Sequence, residues 1–96
     1  MWIRVYEKES DYAGDDIENM TDYQVKYISS YRINEFEIEQ KESGVYHLVI
    51  ECGYNDVPMG NNQQTKYIYA QADNEKAILA KADALAMALD KGIIEI

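Results

Sequence analysis

The residue types in this chain that could carry covalent chemistry are few, and their spacing works against them. His47 and Cys52 are its one histidine and one cysteine. Five positions apart on one strand, they point to opposite faces, so no thiolate and imidazole can meet there as nucleophile and base. Carboxylates are plentiful. Glu35, Glu37 and Glu39 alternate with Phe36 and Ile38, which lines three carboxylates along one strand face about 7 Å apart. General acid–base catalysis needs an environment that splits two carboxyl pKa values, and exposed glutamates have none. His47, beside Glu37 and Glu39, is expected to be a solvated histidine with a mildly raised proton affinity.

Calcium is the remaining chemistry to weigh. Twelve residues counted from Asp11 place Asp11, Asp15, Asn19 and Asp22 at positions one, five, nine and twelve of an EF-hand-like loop. Position three is Ala13, the glycine falls at four instead of six, and position twelve is Asp instead of Glu. No glycine-rich phosphate loop or Ser/His/Asp set is present. The expectation is therefore no catalytic residue, no metal site, no cofactor and no enzymatic activity.

Acidic side chains at these spacings need strands to hold them, and the hydrophobic pattern supplies a set. Trp2 to Glu7 alternates, with Ile3 and Val5 on one face and Trp2, Arg4 and Tyr6 on the other. Lys8 to Asp22 has no period and predicts a mobile loop or a loop with one helical turn. Tyr23 to Ser30 admits two readings: Thr21 and Gln24 could form a capping box opening a short helix, but Tyr23, Val25 and Tyr27 alternate and favour a strand. Arg32 to Gln40 and Val45 to Cys52 both alternate around Lys41-Glu42-Ser43-Gly44, which predicts a β-hairpin. If Phe36 and Ile38 share a face with Tyr46, Leu48 and Ile50, opposed residue numbers sum to an even value, and the turn has three or five residues. With three, Gly44 takes the left-handed position. Glu35, Glu37, Glu39, His47, Val49 and Glu51 then lie together on the other face.

Tyr54 to Gln64 reads as a connection and Thr65 to Gln71 as a further strand. Asp73 or Asn74 opens a helix with Glu75 in its first turn, Lys91 in its last and Gly92 just beyond its end. Ile78, Leu79, Ala82, Leu85, Ala86 and Leu89 form its apolar stripe. Ile93, Ile94 and Ile96 could add a short final strand or tuck under the sheet edge. The predicted fold is α+β: an antiparallel sheet of about five strands, curved or barrel-like, covered by one C-terminal helix, in a single domain spanning 1–96.

Met1-Trp2-Ile3-Arg4, the central hairpin and the tail YIYAQADNEKAILAKADALAMAL together resemble small proteins of Gram-positive phages and mobile elements, built as strands followed by one C-terminal helix. The acidic insert at 8–22 departs from that layout. The resemblance implies a mobile-element context and a curved sheet capped by the helix, and it carries over no functional residues.

Charge is the strongest functional clue. Of a formal net charge of −9, residues 7–22 supply −6, from Glu7, Glu9, Asp11, Asp15, Asp16, Glu18 and Asp22 against Lys8. Direct binding to nucleic acid is disfavoured, since phosphate contacts depend on Lys and Arg. No N-terminal leader pattern or membrane-length apolar run is seen, and a lone, buried Cys52 suits a reducing, cytoplasmic setting. These features predict an interaction protein that covers a basic, nucleic-acid-binding site on a host protein, an anti-CRISPR-type inhibitor being one instance. The expected contact residues are Glu35, Glu37, Glu39, Glu51, Asp11, Asp15, Asp16 and Glu18, with Tyr12 and Tyr54 in loops. The alternative is an assembly protein that forms a homodimer or larger oligomer through tyrosine-rich strands, nine tyrosines being many for this length.

Overall fold

The computed structural model describes residues 1–53 and 64–94. Five strands, β1 (Trp2–Lys8), β2 (Tyr23–Ser29), β3 (Ile33–Gln40), β4 (Tyr46–Gly53) and β5 (Gln64–Ala72), precede one helix, α1 (Glu75–Ile94). They form a single sheet in the order β2-β1-β5-β4-β3, with every pairing antiparallel. This is the expected α+β arrangement. The alternation of Tyr23, Val25 and Tyr27 prevails over the capping-box signal, because β2 pairs along its whole length with β1.

The hairpin of β3 and β4 has the register the pattern requires. Phe36 opposes Ile50, Ile38 opposes Leu48 and Glu39 opposes His47. The N–H of Lys41 reaches Val45 O at 2.8 Å, which leaves the three-residue turn, and Gly44 adopts φ 93°. A β-carbon there would meet no neighbouring atom, so glycine serves the backbone angle and not a lack of room.

The link from β2 to β3 bends the sheet. Four successive antiparallel pairings make β2 and β3 run in the same direction, at opposite edges. Across a flat sheet those edges lie about 19 Å apart, four inter-strand spacings. From Ser29 to Ile33 the chain takes four residue steps and reaches about 14 Å at most. The sheet must therefore coil until the end of β2 approaches the start of β3. A 3₁₀ turn, Ser30–Arg32, makes the connection, with the Tyr31 N–H bonded to the Ser29 hydroxyl and the Ser30 N–H to Met1 O at 2.9 Å. The sheet is thus curved, as expected, and stops short of a closed barrel, since β2 and β3 remain its two edges.

Coiling gives the sheet an inner and an outer face. Ile3, Val5 and Ile28 from β1 and β2 join Leu48, Ile50, Cys52 and Tyr67 from β4 and β5, and Ile78 and Leu85 from α1, in one buried cluster. Asn74 caps the helix, its side chain accepting the Ala77 N–H at 2.8 Å. Two expectations for α1 are corrected. Leu79 is exposed, lying at the margin of the stripe, and the helix continues through Gly92 to Ile94, so Ile93 and Ile94 extend it instead of adding a strand. A glycine near a helix end is compatible with stopping but does not impose it. The predicted connection at 54–63 and Ile96 lie outside the described residues.

Replacing Leu85 by Ala should destabilise the fold by about 2–5 kcal/mol, whereas Asp83→Ala on the exposed side should stay within about 0.5 kcal/mol. Denaturant midpoints that coincide for the two variants would contradict this packing.

Candidate functional site: the acidic outer face

The outer face carries Trp2, Arg4 and Tyr6 from β1, Tyr23, Val25 and Tyr27 from β2, and Glu35, Glu37 and Glu39 from β3. From β4 and β5 it takes His47, Val49, Glu51, Lys66, Ile68 and Gln71. Gln71 reaches this face through an irregularity. Val49 opposes Ile68 but Leu48 opposes Ala70, so Tyr69 is an extra residue, a β-bulge that reverses the alternation beyond it. Ala70 and Ala72 turn inward toward the core cluster, and Gln71 turns outward.

That outward Gln71 anchors the segment between β1 and β2, the expected loop at 8–22, to the sheet. Gln71 Oε1 accepts the Ile17 N–H at 3.0 Å, and its amide donates to Asp16 Oδ1 at 3.0 Å. The Tyr23 hydroxyl donates to Gly14 O at 2.6 Å, and Glu9 N–H to Asp22 O at 2.8 Å. Ile17, the one aliphatic side chain larger than alanine between Lys8 and Asp22 apart from Met20, packs with Tyr23 and Ile68 in a second buried cluster, flanked by Tyr6 and Ala13. High like charge argues for disorder only where nothing is buried; one apolar anchor and a set of backbone hydrogen bonds suffice here.

His47 is the other anchor, and its expected solvated state is also corrected. It is fully buried, with Nε2 2.6 Å from Asp15 O. A carbonyl only accepts, so Nε2 carries the proton. Nδ1 is buried without a partner. Burial pushes the His47 pKa below its ordinary 6.5, and the Lys41 charge acts the same way, against the Asp15 carbonyl and the charges of Asp15 and Glu39. Cys52 faces the core as expected, and burial raises its thiol pKa, so it is an unreactive thiol.

The calcium geometry does not form. Asp15 is drawn to the Ser43 hydroxyl and N–H in the hairpin turn, which lower its pKa. Asp22 Oδ2 accepts from Gly14 N–H and the Asn19 amide, each at 3.1 Å. Asp15, Asn19 and Asp22 bind the protein itself, and among the described residues no group of three or more His, Cys, Asp or Glu is placed to hold a metal ion.

The glutamate row is less bare than its sequence suggests. Lys66 reaches in from β5, with Nζ 2.9 Å from Glu37 and 3.5 Å from Glu51, and Lys41 lies 3.6 Å from Glu39. A lysine far away in sequence thus stands among these carboxylates. Glu51 itself has a side chain only 8% exposed, so it supports the row more than it displays charge. Glu35 opposes it directly. A hydrogen bond to Glu51, with the Glu51 charge behind it, raises the Glu35 pKa, and the same bond with Lys66 lowers that of Glu51.

Of the other expected contact residues, Asp11, Asp16 and Glu18 are exposed, Asp15 is half-buried, and Tyr12 is 96% exposed. Tyr54 lies outside the described residues. Sequence reasoning passed over Trp2 and Tyr27, which stand 72% and 63% exposed on the same face, beside Arg4, whose guanidinium lies 5.5 Å from the Tyr6 ring. The alternation of β1 and β2 placed them there; missing was any sign of which half of the face the loop would leave open. No known protein family, curated protein or solved structure matches this chain.

Two outcomes follow. Because the folded state holds His47 neutral, the unfolded chain binds the proton more tightly, so this contribution to stability is complete above pH 6.5 and is lost as pH falls below it. His47→Gln, which retains a donor for Asp15 O, should flatten that limb in a series of thermal melts. Asp15, its pKa lowered, acts only below its ordinary 3.8 and cannot account for the same limb. Separately, Ile17→Ala should speed amide exchange across 9–22 by at least about tenfold while β4 amides keep their protection, as expected for local opening; equal acceleration in both would show the loop and core to be one cooperative unit.

Proposed function

We propose that this is a non-enzymatic interaction protein whose acidic outer face occupies the basic, nucleic-acid-binding site of another protein. One observation carries the reading. The two acidic segments, separate in sequence, come together on one face, where Asp15 O meets His47 Nε2 and His47 opposes Glu39. Asp16 and Glu18 thereby lie on the same side of the sheet as Glu39, Glu37 and Glu35, in a loop hydrogen-bonded to it. Carboxylates on a rigid frame can stand where phosphates would sit, and charge complementarity speeds and orients such encounters. Trp2, Arg4 and Tyr27 beside this display are residue types that dominate binding energy in protein interfaces. An inhibitor encoded by a phage or mobile element, of the anti-CRISPR kind, is one instance of this class. Its setting would be cytoplasmic; among the described residues no helix is long and apolar enough to cross a membrane.

A second reading, self-assembly, rests on β2. This edge strand presents Tyr27, with Trp2 next to it, and carries one lysine, Lys26, already bound to Glu7 at 2.9 Å. Tyr23 and Tyr67 are buried, so the tyrosines available for assembly are fewer than the sequence suggests.

The deciding experiment captures a partner from a bacterial lysate and then adds duplex DNA. Under the inhibitor reading, DNA displaces the protein, binding weakens as salt screens charges over about 10 Å at 0.1 M, and the combined Glu35→Lys, Glu37→Lys, Glu39→Lys variant folds but fails to bind. Simultaneous binding of DNA and protein to the partner would refute it. A dimer that persists across dilution and salt would favour assembly instead.

A further inference from the structure

Among the described residues both edges of the sheet, β2 and β3, lack a neighbour on their outer side, and unpaired backbone at an edge accepts another strand unless something prevents it. The two edges differ in what they would accept. The outer-facing row of β2 is Tyr23, Val25 and Tyr27, which discriminates little by charge. On β3 the outer-facing row is Glu35, Glu37 and Glu39, and the inner row includes Phe36 and Ile38, both only partly buried against the core. An added strand would continue both rows at once, its alternate side chains beside the glutamates and the intervening ones against Phe36 and Ile38.

A second copy of this chain is a poor candidate. Antiparallel pairing of β3 with itself on matching faces sets Glu37 opposite Glu37 and Glu35 opposite Glu39, and like charges directly opposed are destabilising. A strand carrying Lys or Arg at every second position meets the reverse situation. Two of the three carboxylates have lysines of their own, Lys66 at Glu37 and Lys41 at Glu39. Glu35 instead faces Glu51, and a cation laid beside it would give its carboxylate a partner of opposite charge. From Glu35 to Glu39 the row spans about 14 Å, the length of five residues.

We propose that β3 is a docking edge for an extended, alternately basic segment of a partner protein, which adds to the sheet as a sixth strand with its Lys or Arg side chains along Glu35, Glu37 and Glu39. This rests on the reading of the outer face as an acidic interaction surface and names how the partner is held: backbone hydrogen bonds supply affinity and the carboxylate row supplies selection.

The test uses the whole protein and the peptide Lys-Thr-Lys-Val-Lys-Thr-Lys, with two versions N-methylated at alternate residues, one for each set. Methylation preserves the charge and removes one set of N–H donors. The parent peptide should bind and slow exchange of the alternate β3 amides that point away from β4. One methylated version should bind at least about tenfold more weakly and the other much as the parent does. The Glu35→Lys, Glu37→Lys, Glu39→Lys variant, its fold checked by the unchanged protection of β4, should lose binding. Equal binding by all three peptides, protection appearing on β2, or no binding would overturn strand addition. Equal, salt-sensitive binding would leave the acidic-surface reading standing, so the two ideas fail separately.

Discussion

Four residue steps between Ser29 and Ile33 constrain this fold more than any single contact. A connection that short between strands at opposite edges admits no flat sheet, and the coil it imposes brings β1 and β2 round to share a core with β4, β5 and α1. One face becomes an interior. The other is left for the long segment between β1 and β2 to cover or leave bare. Had β2 and β3 been joined by a long loop, the same strands could have opened into a flatter sheet, with Ile3, Val5 and Ile28 needing another cover.

Much of this was legible. Strict alternation fixed the faces of β3 and β4, and with Gly44 it fixed the turn, because a one-residue slip would have put Phe36 and Ile38 into water beside the glutamates. The helix start followed from Asn74 and the stripe through Ile78 and Leu85. What the sequence concealed was non-local. Nothing in the neighbourhood of Glu37 announces Lys66, twenty-nine residues away. The bulge at Tyr69 has no glycine to mark it, and without it Gln71 would face the core. The order of 8–22 hung on Ile17, one apolar side chain in a polar run, whose value depended on Tyr23 and Ile68 forming a recess for it. His47 was misplaced for the same reason: its strand face was assigned correctly, but the loop that buries it was not foreseen.

The outer face departs from the usual division of sheet surfaces into wet and dry. Its covered part contains a neutral histidine bonded to a loop carbonyl and an amide side chain bonded to a loop N–H and the Asp16 carboxylate, so burial there selects geometry as much as it contributes hydrophobic stabilisation. Its open part combines aromatic rings, one guanidinium and a carboxylate row, which is the mixture of large contact area and directional charge that specific interfaces use.

The contacts that hold the loop fall mainly on its backbone: the Ile17 N–H, the Gly14 and Asp15 carbonyls, the Glu9 N–H. Shape is thereby uncoupled from much of what the loop displays. Asp11, Tyr12, Glu18 and Met20 are exposed, and these four positions can change identity while the path of the chain over the sheet stays the same. A surface arranged this way can be rewritten one side chain at a time, without each change having to be refolded into the scaffold beneath.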